Sequence, residues 1–561
     1  VDHAALDDQS AFVASLGSSR SARMRDVLGT IQADQDAIIR AGSRGALVVD
    51  GGPGTGKTVV ALHRTAYLLY SDPRLGHQKG GVLFVGPHQP YLAYVADVLP
   101  SLGEEGVQTC TLRDLLPEGT TAAVEADPEV ASLKSTVQMV KAIEPAVRLY
   151  EEPPSSGMEV ASDWGDIWLS AADWAEAFGA ADSGTPHNEA RDQILEELID
   201  ILVDKHDVED DDEVPADLLR RSLMQNDELI EALDTAWPLI EPTDLVGDLW
   251  SVPAYLRMCA PWLEPDEVTA MQREDAHAWT VSDLPLLDTA RQRLGDPGAS
   301  RRKRRHDAAV AGERERMARV VDDLIASADD SASLVTMLRQ DGLQDALIDE
   351  GGLPTVDPDR LAGPFAHIVV DEAQELTDAE WQMLLLRCPS RSFTIVGDRA
   401  QARHGFTETW QERLGRIGLD QVHLASLSIN YRTPEEVMME AEPVIRSVLP
   451  DANVPTSIRS TGVAVGHGPA SDVGSILDAW LAEHDEGIAC VISTSAVDAS
   501  ELPETSRVRW LTPELSKGLE FDLVVLIDPE DFGTGIAGAV DRYVAMTRAT
   551  QRLVILTTET P

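Results

Sequence analysis

The chain has 561 residues, 43% of them apolar, with 46 basic and 96 acidic side chains and a formal net charge of −50. That length allows several domains with sizeable cores, no apolar run is long enough to span a membrane, and no signal-peptide pattern is present. The charge argues against a broad grip on nucleic acid, because a phosphate backbone rewards Lys and Arg and repels acid.

The chain starts with Val1 and its first strong motif comes early, so an N-terminal portion is expected to be missing. Residues 1–45 read as helical, since ARMRDVLGTIQADQDAIIRA spaces apolar residues at helical intervals. Ala46–Asp50 reads as a buried parallel strand. It feeds a glycine-rich turn in which Gly51, Gly56, Lys57 and Thr58 fill the phosphate-loop pattern G-x-x-x-x-G-K-[ST]. Gly51, Gly52, Gly54, Thr55 and Gly56 would curl backbone N–H groups around a polyphosphate, with Pro53 shaping the same turn. Lys57, Thr58 and Val59 open the next helix, whose N-terminus adds partial positive charge. Lys57 is expected at the β/γ-phosphates and the Thr58 hydroxyl on Mg²⁺. VLFVGP (Val82–Pro87) is a second strand, and PYLAYVADVLPSLGE a helix ending near Gly103.

Residues 121–360 differ in texture. They carry −32 of the charge and seven of the eleven tryptophans. Trp164, Trp168, Trp174, Trp250 and Trp279 are among them, and so much aromatic mass predicts a folded, mainly helical insertion with its own core. The acidity serves solubility or meets a basic partner surface. VEDDDEVP (Val208–Pro215) reads as an acidic loop. RRKRR (Arg301–Arg305) reads as a solvated basic helix start or a contact for phosphate or acid, ahead of the helical DAAVAGERERMARVVDDLIAS.

Strand texture returns at HIVVDEA (His367–Ala373) and FTIVGD (Phe393–Asp398). A second α/β block runs from about 410 to 561, with GIACVIST, RVRWLT, DLVVLID and RLVILTT. The expected fold class is therefore α/β, two parallel-sheet domains with a helical insertion in the first. Residues 1–120 and 361–409 would form the first domain, 121–360 the insertion and 410–561 the second domain. In IVVDEAQ two carboxylates stand at a strand's C-terminal end. Asp371 can hold Mg²⁺, and Glu372 can orient and deprotonate an attacking water. Cys110, Cys259, Cys388 and Cys490 lie far apart without metal spacing and read as reduced thiols. Only seven of the 46 basic residues are lysine, a bias that suggests a GC-rich bacterial genome.

The order GGPGTGKT, VVDEAQ, VGDRAQ, NYRT, SKGLEFD, YVAMTRA resembles the UvrD/Rep-like superfamily 1 of helicases and translocases. The resemblance covers both α/β blocks and implies ATP bound in a cleft between two RecA-like domains. Residue by residue, Gln35 in IQADQ resembles the adenine-reading glutamine. Asp398 and Gln401 resemble the γ-phosphate sensor, Arg432 and Arg548 the two arginines reaching the γ-phosphate, and Glu520 the ribose-contacting glutamate. VGPHQPYLAYVADVLPSLGE, WTVSDLPLLDTARQRLG, DEAQELTDAEWQMLLLRCPSRSFTIVGDRAQARHGF and ANVPTSIRS resemble one branch more closely, the actinobacterial type of the HelD family, which includes the HelR proteins linked to rifampicin resistance.

That resemblance implies an ATPase (ATP and Mg²⁺, with GTP left open) acting as a monomer on bacterial RNA polymerase core. It would be cytoplasmic and nucleoid-associated through polymerase, with no membrane partner and only indirect or weak contact to nucleic acid. The insertion would pry open the polymerase clamp and send a loop into the primary channel, and an N-terminal coiled-coil arm would enter the secondary channel. There is no room for that arm before Gln35. Departures from strand-separating helicases are also visible. Base-stacking positions hold His404 and Phe406, the following arginine is Thr407, and only 84 residues separate Arg432 from Lys517. The leading expectation is a motor that strips polymerase from DNA. The alternatives are a UvrD-like DNA translocase or helicase in repair, and a nucleotide-gated scaffold.

Overall fold

The structure is a computed structural model that describes residues 35–72, 74–75, 81–89, 91–92, 95, 107–209, 215–298, 361–402, 405–494 and 505–558. The helix expected before Gln35, most of the 90–104 helix, the tip of the acidic loop, RRKRR with the stretch after it, and His404 lie outside the described residues. The chain divides into two compact units. One spans 121–360, and the other joins the residues before and after it. No helix among the described residues is long and apolar enough to cross a membrane.

The larger unit is built on two sheets. The first has six strands, β1 (Ala46–Gly51), β2 (Val82–Val85), β3 (Val107–Cys110), β4 (His367–Val370), β5 (Phe393–Gly397) and β6 (Val422–Leu427), in the order β3-β2-β4-β5-β1-β6. Every pairing is parallel, with Val48 opposite both Ile395 and Leu424 and Val85 opposite Val370. The central strands β2, β4 and β5 are buried at every residue. This is the signature of strands covered on both faces, and it explains their uninterrupted apolar runs. Helix α1 (Lys57–Ser71) leaves the loop after β1 and packs Val60, Ala61, Leu62 and Leu68 onto the core with Val49, Phe84, Val369 and Val396.

The second sheet has five parallel strands, β7 (Gly466–Pro469), β8 (Ala489–Ile492), β9 (Val508–Leu511), β10 (Phe521–Ile527) and β11 (Ala549–Thr557), ordered β7-β11-β10-β8-β9. Alternation sorts its side chains. Cys490, Ile492, Val524, Leu526, Leu553 and Ile555 face Val437, Ala441, Ile445, Val540, Tyr543 and Val544. Ala489, Val491, Leu523, Val525, Val554 and Leu556 face Val473, Leu477 and Trp480. Each fully buried Val, Leu or Ile contributes roughly 1.5–3 kcal/mol.

One expected boundary moves. β6 lies beyond residue 410, yet it hydrogen-bonds along β1 as the first sheet's edge. The Trp410 indole N–H also donates to Asp50 Oδ1, at 2.9 Å. The first sheet therefore extends through Leu427. An edge strand escapes a search for continuous apolar runs, because every residue of β6 before Leu427 is half-exposed or exposed. The same applies to β7, whose sequence is GHGP.

Among its described residues the second unit is mainly helical, with an antiparallel hairpin of Met158–Ser162 and Gly165–Leu169. One core gathers Ile194, Leu198 and Leu202 of the long helix His187–Glu209 with Trp174 and Trp237. Tryptophan content is only partly a core signal here, because Trp164 and Trp168 of the hairpin are exposed. Elsewhere in the unit Lys134, 2% exposed, lies 2.7 Å from Glu125 and 2.8 Å from Asp283, and 4.8 Å above the Trp250 ring.

Candidate nucleotide site

The loop between β1 and α1 is held open by glycines that tolerate no Cβ. Gly54 has φ of 69°, and a Cβ there would stand 2.0 Å from Asn430 Oδ1. A Cβ on Gly52 would stand 2.2 Å from Pro455 Cδ, and one on Gly51 2.7 Å from Thr55 Oγ1. Gly56, with φ of 81°, caps α1 in the left-handed region where glycine is unpenalised. Thr55 is buried and donates to the Gly52 carbonyl at 2.9 Å, so it fastens the loop. Lys57 Nζ donates to the same carbonyl at 3.1 Å. The loop thus presents backbone N–H groups and an ammonium at the N-terminus of a 15-residue helix, an anion site by construction.

At the end of β4, Asp371 is 2% exposed. Its Oδ2 accepts from Thr58 Oγ1 at 2.8 Å and from the Tyr91 hydroxyl, and its Oδ1 accepts from the Glu372 N–H at 2.8 Å. Burial, and then the neighbouring Glu372, push the Asp371 carboxyl above its ordinary range. Glu372 adopts φ of 55°, uncommon for a residue with a side chain, and its carboxylate accepts from Gln374 at 2.6 Å. Gln374 Oε1 in turn accepts from the Asp398 N–H at 3.1 Å. Burial raises Asp398 to about 6. Gln401 donates to Asp398 at 2.6 Å, and Arg548 Nη2 donates to Gln401 Oε1 at 3.0 Å. Arg548 is lowered to about 10 by burial, with Arg432 nearby adding to the effect, and stays charged at neutral pH. Arg432 pairs with Glu520, while its Nε is buried without a hydrogen-bond partner.

These residues surround one cleft of about 460 Å³, the size of a small-molecule site. Pro53, Gly54, Thr55, Gly56, Lys57, Thr58 and Val59 form one wall with Glu372 and Gln401. Arg432, Glu520 and Arg548 form the other. Gln35, Gly51, Gly52 and Asp371 do not line it, though Gln35 bonds Thr55 and Asp371 bonds Thr58, which do. Gln35 Nε2 donates to the Tyr431 hydroxyl at 2.6 Å and to the Thr55 carbonyl at 3.4 Å. Among the described residues no group of three or more His, Cys, Asp or Glu could hold a resident metal. A Thr hydroxyl beside one carboxylate fits Mg²⁺ that shares its shell with phosphate and water. The glycine cradle and the orphaned Arg432 Nε fit a polyanionic ligand.

Several residues escaped sequence reasoning. His88 lines the cleft, Tyr91 bonds Asp371, Gln374 bridges Glu372 to Asp398, and Tyr431 meets Gln35. Tyr431 and Gln374 adjoin motif residues and could have been found there. Nothing in the pattern distinguishes Tyr91 from the other apolar-face residues of its segment. Phe406, in a base-stacking position by sequence, is 1% exposed and packs edge-on against Trp410, with the Arg413 guanidinium 4.5 Å from its ring centre. Its ring is committed to the interior.

No protein-family model matches the chain, and no curated protein matches it. Solved structures that it resembles include the PRRSV helicase, at 17% identity over 34% of this chain and 35% of that one, with a TM-score of 0.22. Another is arterivirus nonstructural protein 10, a helicase solved with DNA, at 19% identity over 34% and 39%, also with a TM-score of 0.22. The chain spans little more than a third of the length of either.

Proposed function

We propose that the chain is a Mg²⁺-dependent ATPase whose cleft closes on the γ-phosphate. One observation carries this reading. The phosphate loop, Glu372 and Gln401 from the first sheet face Arg432 and Arg548 from beyond it across a single cleft. Phosphoryl transfer needs little covalent help from protein. It needs positioning and positive charge at the transferring group. Lys57 and the loop amides hold the triphosphate. Glu372 orients and deprotonates water, and Gln374 fixes its carboxylate. Gln401 links Asp398 to Arg548, so the sensor and one arginine move together. Arg432 would exchange its partner Glu520 for phosphate. Gln35 and Tyr431 offer a base an amide and an aromatic ring. Mg²⁺, held by Thr58 and Asp371, would neutralise charge shared between the β- and γ-phosphates.

At the next level the proposed work is remodelling of bacterial RNA polymerase and its release from DNA. The HelD-like stretches support this, as does the −32 carried by residues 121–360, suited to a basic channel. The packing of Phe406 supports it against the runner-up, a repair translocase, because it removes a stacking surface for single strands. The test is copurification with polymerase core beside an unwinding assay. Retention on polymerase with no ATP-dependent unwinding is expected. Robust unwinding at moderate salt without polymerase binding would favour the runner-up. Comparing ATP with GTP turnover decides the base.

A further inference from the structure

Asp371 has a hydrogen-bond donor that phosphate-loop chemistry does not require. β2 lies beside β4, and the Asp371 N–H donates to the Val85 carbonyl at 3.0 Å. The chain then turns, and Tyr91 returns its hydroxyl to Asp371 Oδ2, the oxygen that Thr58 also reaches. A carboxylate only accepts, so Tyr91 donates. Its place is tightly fixed. The Tyr91 N–H bonds the His88 carbonyl at 3.1 Å, and the ring lies where a Cβ on Gly86 would stand 2.8 Å from Cδ1. Leu92 and Val95, next along the chain, are buried in the sheet's core.

We propose that Tyr91 is a positioning residue for the metal site. Its hydroxyl fixes the orientation of the Asp371 carboxylate, so that a Mg²⁺–nucleotide complex meets a preset oxygen. The inference rests on the Mg²⁺-nucleotide reading of the cleft. Outer-shell hydrogen bonds of this kind change metal affinity by about 10- to 100-fold. Tyr91 also lines the cleft, but its hydroxyl is committed to Asp371 and Tyr91→Phe leaves the ring in place, so nucleotide affinity without metal should not depend on that hydroxyl.

The experiment titrates Mg²⁺ into wild type and Tyr91→Phe with a fluorescent ATP analogue, and repeats binding in EDTA. Tyr91→Phe keeps the ring that Gly86 accommodates, and a circular-dichroism melt verifies the fold. The expected result is a Mg²⁺ midpoint raised about 10-fold with EDTA affinity unchanged. An unchanged midpoint overturns the inference. So does an equal loss with and without Mg²⁺, which would make Tyr91 merely structural. If wild-type affinity ignores Mg²⁺ altogether, the underlying reading of the cleft falls as well.

Discussion

Two buried carboxylate clusters, one in each unit, are built on opposite principles. In the nucleotide cleft Asp371 is held by a Thr hydroxyl, a Tyr hydroxyl and a backbone N–H, all neutral donors, and it sits beside Glu372. Burial dominates and its carboxyl is pushed up. In the helical unit Asp283 is as deeply buried, but Lys134 lies 2.8 Å away and Arg273 Nη1 2.8 Å away. Those cations, with a hydrogen bond from the Thr280 N–H, hold it below the ordinary carboxylate range despite its burial. The difference teaches where to look for chemistry. A buried acid with its counter-charge supplied completes a fold. One whose counter-charge is withheld is waiting for a cation from outside.

The sharpest way to break the comparison is at the cleft. Glu372→Gln preserves size and the bond to Gln374 but removes the base. Turnover should fall by about 10²- to 10⁴-fold while Mg²⁺-nucleotide binding persists. Steady-state phosphate release beside equilibrium binding measures both. Near-normal turnover would strip Glu372 of its role and leave the unbalanced acids unexplained.

The paired cluster should answer in stability instead. Lys134→Met leaves Glu125 and Asp283 facing apolar surface and Trp250. Removing one partner of a buried pair costs about 3–5 kcal/mol. Chemical unfolding should show that loss, and nucleotide affinity should not change. A neutral effect would mean that Arg273 alone balances Asp283.

How far these contrasts were legible in the sequence follows from their physics. Lys57, Thr58, Asp371 and Glu372 declare themselves because a polyphosphate demands fixed residue types at fixed spacing, and in the fold they meet at one cleft. Gln401, Arg432 and Arg548 came from motif order, and they too reach that cleft. Central strands were readable because double burial makes continuous apolar runs. β6 and β7 were not, since an edge strand needs no such run. Lys134 and Asp283 are 149 residues apart and obey no local period, so only the folded chain reveals their pairing. Tyr91 escaped for the same reason, being joined to Asp371 across 280 residues.

A third test sharpens the cleft's side. Arg548 and Arg432 bring positive charge to the cleft without pairing with Asp371, and each reaches it from outside the first sheet. Arg432→Ala and Arg548→Ala should each lower turnover by about 10²- to 10³-fold with far smaller losses in nucleotide affinity. Single-turnover rates beside binding separate the two. Equal losses in both would make these arginines ground-state binders.

The smallest effect is the most discriminating, because it reverses sign between the clusters. Asp398, raised by burial to about 6 from an ordinary 3.8, binds its proton more tightly folded than unfolded. Its contribution to stability is therefore full below about pH 4 and is lost as pH rises through 6. A rise of that size corresponds to about 3 kcal/mol. Asp283 is displaced the other way. Its contribution is present above its unfolded value and lost as pH falls below it. Asparagine at either position removes the titration. The stability of Asp398→Asn relative to wild type should thus improve by about 2–3 kcal/mol between pH 4 and pH 7. That of Asp283→Asn should worsen as pH rises through the acid range to the ordinary carboxylate value. Urea unfolding across this range, with separate transitions fitted separately, measures both differences. If the two variants change in the same direction, the cleft's acids are balanced after all, by charge that the folded chain supplies itself, and the distinction between the clusters collapses.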